Sequence, residues 1–326
     1  MNASSFTYGF RVLDGKTGVR RLINGAAAFR GYADCIPAAE LDREAYLSAF
    51  TFHETFRAYL DEHRTTRGYA GPYWAAWLWF DIDRDDDIQA AAVDTRRLVT
   101  AIVERYQLAD DDVLIFYSGA KGYHIGIPTA LWMPEPSAMF HRIARRFAIA
   151  LAELAGVTID TGVYASVNLF RAPNSRHPRT GLYKRRLSAD ELFKLNAEAH
   201  QRLAAQPEPF GIPSPGEQCL TAAADWNTAA EHVRREAEAK AVRSADGPPT
   251  LNRSTLEYIR DGASNGDRHR LLFSAAANLA ELGCPAPLAH ALLSDAALDC
   301  GLSPSDVRRQ IDCGLEHAAG LPGVMP

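Results

Sequence analysis

The stretch Trp74-Ala75-Ala76-Trp77-Leu78-Trp79-Phe80-Asp81-Ile82-Asp83 constrains the fold of this chain more than any other. So many aromatic and aliphatic side chains in a short run favour a buried strand, here one that ends in carboxylates. The residues downstream limit where that strand can lie. Ile88 to Tyr106 carries helical spacing (Ala92, Leu98, Ile102) after an acidic first turn, Asp85-Asp86-Asp87. Val113 to Tyr117 reads as a short buried strand. After Gly119 and Gly122 the chain returns through Tyr123 to Ile127, which suggests a hairpin. A second helix is predicted over Pro136 to Leu154. Strand, helix, two hairpin-linked strands and helix imply an α+β core. The expected form is an open mixed sheet with helices on one face, of the RNA-recognition or ferredoxin type.

From Ala205 to Thr250 the composition changes. Pro207, Pro209, Pro213, Pro215 and Gly216 mark a loop, Asn227 to Arg243 reads as a solvated charged helix, and Gly247-Pro248-Pro249 closes the segment. Beyond it, Leu272, Ala276, Leu279 and Leu282 share a helical face that stops at Gly283. Ser303-Pro304 is an N-cap and first-turn pair, with Val307, Ile311 and Leu315 at four-residue spacing after it. The expected organisation is a main domain over residues 1–205, a linker with a charged helix over 206–250, and a small all-α domain over 251–326. No internal repeat is visible, and the first seventy residues receive no assignment.

Charge and cysteine usage exclude several classes. Lys and Arg total 35 against 40 Asp and Glu, a formal net charge of -5, so bulk electrostatic coating of nucleic acid is excluded and any such contact must be a local patch. The five cysteines, Cys35, Cys219, Cys284, Cys300 and Cys313, include no C-x-x-C pair, so no zinc ribbon or redox pair is written locally. They read as reduced thiols of a cytoplasmic protein. Met1 to Ser5 lacks a signal-peptide pattern, and the most apolar stretch, Phe147 to Val157, is too short to span a bilayer. No membrane partner is expected.

Three motifs carry chemistry. In Asp81-Ile82-Asp83, strand alternation points both carboxylates to one face, where two like charges favour a divalent cation such as Mg²⁺ or Mn²⁺. An isolated D-x-D is more often an acidic loop leaving a strand. Ser118-Gly119-Ala120-Lys121-Gly122-Tyr123-His124 offers a tight glycine turn with a hydroxyl, an ammonium and an imidazole able to donate to a triphosphate. Judged alone, an ordinary glycine hairpin with a satisfied histidine explains it equally well. The third runs from Asp160 through Asn168-Leu169-Phe170-Arg171-Ala172-Pro173-Asn174-Ser175-Arg176-His177-Pro178-Arg179-Thr180-Gly181. With Lys184, Arg185 and Arg186 close behind, it supplies the local basic patch.

In this order the motifs resemble the archaeo-eukaryotic primase superfamily, whose catalytic subunits carry D-x-D, then S-G-x-x-G-x-H, then an aspartate before L-x-[KR]-x-P-x-S-x-H-P-x-T-G. The resemblance covers residues 74 to 186. It implies a DNA primase or primase-polymerase, a nucleotidyltransferase that makes primers on single-stranded DNA from NTPs or dNTPs. Asp81, Asp83 and Asp160 would bind two divalent metals, Mg²⁺ or Mn²⁺, while Ser118, Lys121, His124, Arg171, Ser175 and His177 would hold the incoming nucleotide. The basic side chains of Arg176, Arg179, Lys184, Arg185 and Arg186 would contact nucleic acid. The lack of a zinc ligand set resembles the compact enzymes of plasmids, phages and other mobile elements, which work beside a replicative helicase. In such enzymes a C-terminal helical domain supports initiation, which makes Arg268, His269 and Arg270 candidate contacts. Rival readings are an extension-only repair polymerase of the same superfamily and a non-catalytic single-stranded nucleic-acid-binding protein. A tyrosine relaxase would need a His-x-His pair, which is absent.

Overall fold

Strand alternation in Trp77–Asp83 decides the layering of the main unit. Phe80 and Ile82 are fully buried, while Asp81 and Asp83 on the opposite face keep partial access to solvent. Burying each of those two apolar side chains contributes about 2 kcal/mol, enough to hold the strand against the helices that come after it. In the computed structural model, residues 2–318 are described apart from 17, 67, 85, 86, 215, 216, 246–249 and 265. The acidic turn at Asp85-Asp86, the Pro215-Gly216 pair and Gly247-Pro248-Pro249 lie outside the described residues.

The chain divides into two compact units, residues 1–236 and 237–326. The first is α+β and holds two antiparallel sheets. One consists of β6 (Trp77–Asp83), β7 (Leu114–Tyr117), β8 (Gly122–Pro128) and β10 (Arg185–Leu187), in the order β10-β7-β8-β6. Helices α3 (Ile88–Tyr106) and α4 (Phe140–Ala155) pack on it and on each other. Helix α3 and the hairpin fall where hydrophobic spacing predicts them, and α4 begins four residues after its predicted start at Pro136, because Ser137 bridges to Tyr73. The fourth strand lies beyond β7, at the edge away from β6.

A second sheet takes up the residues that had no assignment. It comprises β1 (Tyr8–Leu13), β2 (Arg21–Asn24), β3 (Ala45–Ser48), β4 (Thr51–Phe52), β5 (Tyr73–Trp74) and β9 (Leu169–Arg171). Helix α1 (Gly25–Ala33) packs against its strands, and α2 (Glu54–His63) comes directly after β4. The expectation of a single open sheet is therefore corrected, and so is the continuous strand over 74–83. Ala75 and Ala76 break it, leaving β5 in one sheet and β6 in the other. β9 pairs with β3, Arg171 opposite Tyr46, so a strand from the basic motif belongs to the sheet built by the first seventy residues. Short helices α5 (Ala189–Lys194) and α6 (Ala197–Leu203) complete this region.

The segment expected to be a solvated linker is partly core. Helix α7 (Leu220–Ala245) begins seven residues before the predicted start, which adds Ala222 and Trp226 to Ala229 and Val233 as a buried stripe at helical spacing. The Trp226 ring lies 5.7 Å from Trp132, 5.1 Å from Phe140 and 5.6 Å from Phe147. The second unit is all-α, with α8 (Arg253–Asp261), α9 (Arg268–Glu281), α10 (Ala286–Asp299) and α11 (Pro304–Ala318) around Tyr258, Leu272, Leu293 and Ile311. Ser303 Oγ accepts from the Asp306 N–H at 3.2 Å, the cap expected there. All five cysteines are free, and no helix among the described residues is long and apolar enough to cross a membrane.

Trp226→Ala should lower the unfolding free energy of the chain by about 3–5 kcal/mol in urea titration, because it opens a cavity among three rings. Leu220→Ala, at a position 82% exposed on the same helix, should change it by less than about 0.5 kcal/mol. Similar effects from both would mean that α7 does not dock through this stripe.

Candidate active site

A glycine turn makes the first half of the site. Gly119 has φ 85°, in the left-handed region, and a Cβ on Gly122 would collide with the Ile82 carbonyl and the Asp83 carboxylate. Only this backbone lets the β7–β8 hairpin close against the end of β6. The β6–β8 register then sets Asp81 opposite His124 and Asp83 opposite Gly122. Ser118 Oγ accepts from the Gly122 N–H at 3.2 Å, which fixes the turn. Asp160 arrives after α4, its backbone N–H donating to the Asp81 carbonyl at 2.9 Å, while its Oδ1 accepts from the Gly162 N–H at 2.7 Å.

These elements line one cleft of about 160 Å³. Asp81, Asp83, Asp160, Ser118, Lys121 and His124 stand on it, and Arg171, His177 and Arg179 complete its wall. Of the nine residues expected to hold metal or nucleotide, eight therefore share a single cavity. Ser175 does not join them. It is buried, with Oγ 2.8 Å from the Ala172 carbonyl oxygen and 3.3 Å from that of Ala45, so it ties the motif to β3.

The charges in the cleft are unevenly satisfied. Asp81 Oδ1 lies 3.4 Å from His124 Nε2 and is buried with no hydrogen-bond partner of normal geometry among the described residues. Burial opposes the Asp81 charge, but His124, Lys184 and Lys16 outweigh it and hold the carboxyl below its ordinary value. Asp83 goes the other way. Burial, then the charge of Asp81 and more weakly that of Asp160, push its carboxyl up, and Lys121 Nζ at 3.3 Å from Oδ2 offsets this only in part. Burial, helped by Lys184, brings His124 down to about 4, so its ring is neutral at pH 7. His177 is also lowered, by burial and then by Arg171 and Arg179. The backbone N–H groups of Arg179 and Thr180 point at its Nδ1 from 3.3 Å, so the neutral ring carries its proton on Nε2. Among the described residues no three His, Cys, Asp or Glu side chains already converge as a metal-ligand cluster.

Three residues without any motif signal shape the wall. Arg171 Nη2 donates to Glu44 Oε1 at 3.2 Å and to Tyr46 Oη at 3.1 Å, and its guanidinium lies 5.1 Å from the centre of the Tyr46 ring. Tyr46 in turn donates to Glu44 at 2.6 Å, and burial with that bond pushes its hydroxyl up to about 12. Lys16 lines the same cleft, with Nζ 5.6 Å from the Tyr46 ring centre. All three come from the unassigned N-terminal segment. Only the alternation of Glu44, Tyr46 and Ser48 with Ala45 and Leu47 could have pointed to the first two, and nothing local points to Lys16.

Much of the expected nucleic-acid patch is corrected. Lys184 is fully buried, with Nζ donating to the Arg171 carbonyl at 2.8 Å and lying 4.2, 4.8 and 5.0 Å from the ring centres of Phe170, Phe116 and Trp79. Burial drives its pKa well below the ordinary lysine value. Arg185 is buried and pairs with Glu208. Arg186 donates to the Val113 carbonyl at 3.1 Å, and burial lowers it to about 10. The physical reason is that the basic run continues into a strand: Arg185 and Arg186 pair with β7, and Lys184 just before them bonds through its backbone to Asn174 and Ser175. Arg176 and Arg179 remain exposed. Arg268, His269 and Arg270 open α9 in the second unit. There Arg268 donates to the Cys300 carbonyl at 2.6 Å and Arg270 pairs with Asp267 at 2.9 Å.

The buried neutral histidine has a measurable consequence. An unfolded chain takes up the His124 proton near pH 6.5 and the folded chain only near pH 4, so acidification across that window costs stability through this residue. In EDTA, the stability of His124→Gln should fall less steeply than wild type between those two pH values. Parallel curves would show that His124 is protonated in the folded chain. Compared with models of protein families, with curated proteins and with solved structures, the chain matches none of them.

Proposed function

We propose that this protein is a template-directed nucleotidyltransferase of the archaeo-eukaryotic primase type, which joins nucleotides on single-stranded DNA to make primers. One observation carries the proposal: carboxylates from β6 and the start of the third motif share a cleft with hydroxyl, ammonium, imidazole and guanidinium donors from the second and third motifs. Acids on one wall and phosphate donors on the other are what nucleotidyl transfer requires. The α+β fold, with both helices packed on the sheet that carries the acids, is compatible with a primase-type core.

The residues fit a divalent cation. Asp81 and Asp83 lie on one strand face, Asp81 Oδ1 has no hydrogen-bond partner among the described residues, and Asp83 is pushed up by burial and its like-charged neighbours. Each of these features is relieved by a cation. Asp81, Asp83 and Asp160 would hold it, Mg²⁺ or Mn²⁺. When bound, such ions lower the pKa of the attacking 3′-hydroxyl and neutralise charge on the departing pyrophosphate. The rest belongs to the chain. Lys121, relieved of Asp83, becomes a donor to phosphate oxygens. His177 offers its Nε2–H without adding positive charge, and Arg171 is held in place by Glu44 and Tyr46, so little entropy is lost when it engages a phosphate.

Incubated with single-stranded DNA, labelled nucleotides and Mg²⁺ or Mn²⁺ but no primer, the wild type should make short products, and Asp81→Ala and Asp83→Ala should make none while unfolding as cooperatively as wild type. Products that appear only with a supplied primer would replace the proposal with an extension-only polymerase. Normal activity in either mutant would remove the carboxylates from the chemistry. Independently of activity, millimolar Mn²⁺ should raise the wild-type Tm by a few degrees, since a ligand that binds only the folded state stabilises it. Asp83→Asn should abolish that rise; an undiminished rise would place the cation elsewhere.

A further inference from the structure

A second cavity, of about 550 Å³, shares Phe170 and Arg171 with the catalytic cleft. Its character is different. Phe29, Trp77 and Trp79 face it, and small residues including Gly9, Gly25, Ala49 and Ala76 leave the space open. The Phe29 and Trp77 rings are nearly parallel, 24° apart with centres separated by 6.4 Å, and Trp77 and Trp79 are 6.1 Å apart at 31°. Both Phe29 and Trp77 are only partly buried, although they pack against the main core. Partial exposure of large rings in near-parallel array is costly unless something planar covers them.

The cationic groups narrow the choice of ligand. Arg171 is committed to the nucleotide in the catalytic cleft in the reading above, and Lys184 is tied to a carbonyl. Arg30, on α1 at the cavity's edge, is exposed and has no side-chain partner among the described residues. One available cation among these lining residues suits a single phosphodiester and is too little for a triphosphate. The Trp77 indole N–H likewise has no hydrogen-bond partner among the described residues and can donate to a ring carbonyl.

We propose that this cavity takes an unpaired base of the single-stranded template, stacked on Trp77 and Phe29, with Arg30 on the adjoining phosphate. The proposal rests on the nucleotidyltransferase reading for the identity of the strand. It adds a base-stacking subsite next to the cleft, separated from it by the Phe170–Arg171 wall. Aromatic stacking tolerates any base, so this subsite would grip the template without reading its sequence.

The test uses the full chain in EDTA, so that catalysis plays no part, and monitors tryptophan fluorescence on titration with a thymidine oligonucleotide and with an abasic oligomer of equal length. The thymidine strand should quench and the abasic strand should bind at least about tenfold more weakly. Trp77→Ala should lose about tenfold in affinity for the thymidine strand, and Trp77→Phe, which keeps a stacking face, should retain most of it. Arg30→Ala, a surface change that leaves the core intact, should reduce the slope of log affinity against log salt by about 0.7. Equal binding of both strands, together with an unchanged salt slope in Arg30→Ala, would overturn the proposal. So would displacement of the strand by a free nucleoside triphosphate at the affinity of the strand itself, since the cavity would then be a second nucleotide site. Base-dependent binding without primer synthesis would sink the catalytic proposal and leave this one standing. Primer synthesis by a Trp77→Ala protein of wild-type DNA affinity would do the reverse.

Discussion

Two carboxylates that project from one face of a strand repel each other, and most of the main unit's site is a response to that repulsion. Asp81 is tolerated because His124, Lys184 and Lys16 surround it; Asp83 is only partly compensated by Lys121. Such an arrangement stores unfavourable electrostatic energy in the cleft. Both acids are present, and a buried oxygen of Asp81 has no partner among the described residues, so the strain in the cleft is left for a cation to relieve in the proposed reading.

Lys184 shows how a basic motif can be partly structural. Its ammonium sits among three aromatic rings and one carbonyl, deep below the surface that the motif presents. Charge on it favours the Asp81 carboxylate and adds to the burial that lowers the neighbouring imidazole. Arg185 and Arg186 serve the strand they belong to. What reaches the surface is the shorter stretch with Arg176 and Arg179. The cleft is therefore less basic than the count of Lys and Arg in that segment implies.

How much was legible depended on whether a feature had a local cause. Hydrophobic periodicity located α3, α4 and the β7–β8 hairpin because each is long or closed by glycine. The D-x-D face came from strand alternation alone. Strands of two to four residues such as β2, β4 and β5 carry no usable period, so the second sheet stayed hidden and its contribution of Glu44 and Tyr46 with it. Burial of Lys184 to Arg186 was equally hidden, since strand pairing rather than charge decides which way those side chains point. Trp226 was lost to a boundary placed seven residues late.

The pairing of β9 with β3 has a consequence in time. Arg171 and its anchors Glu44 and Tyr46 are about 125 residues apart in the chain, and the cleft has no second wall until that pairing closes. Contacts of such long range form late, after local helices and the β7–β8 hairpin have met their smaller entropic cost. A growing chain therefore presents its carboxylate strand before the wall that carries Arg171 is in place. The two halves of the cleft form in sequence, the second when the short strand carrying Arg171 docks on β3.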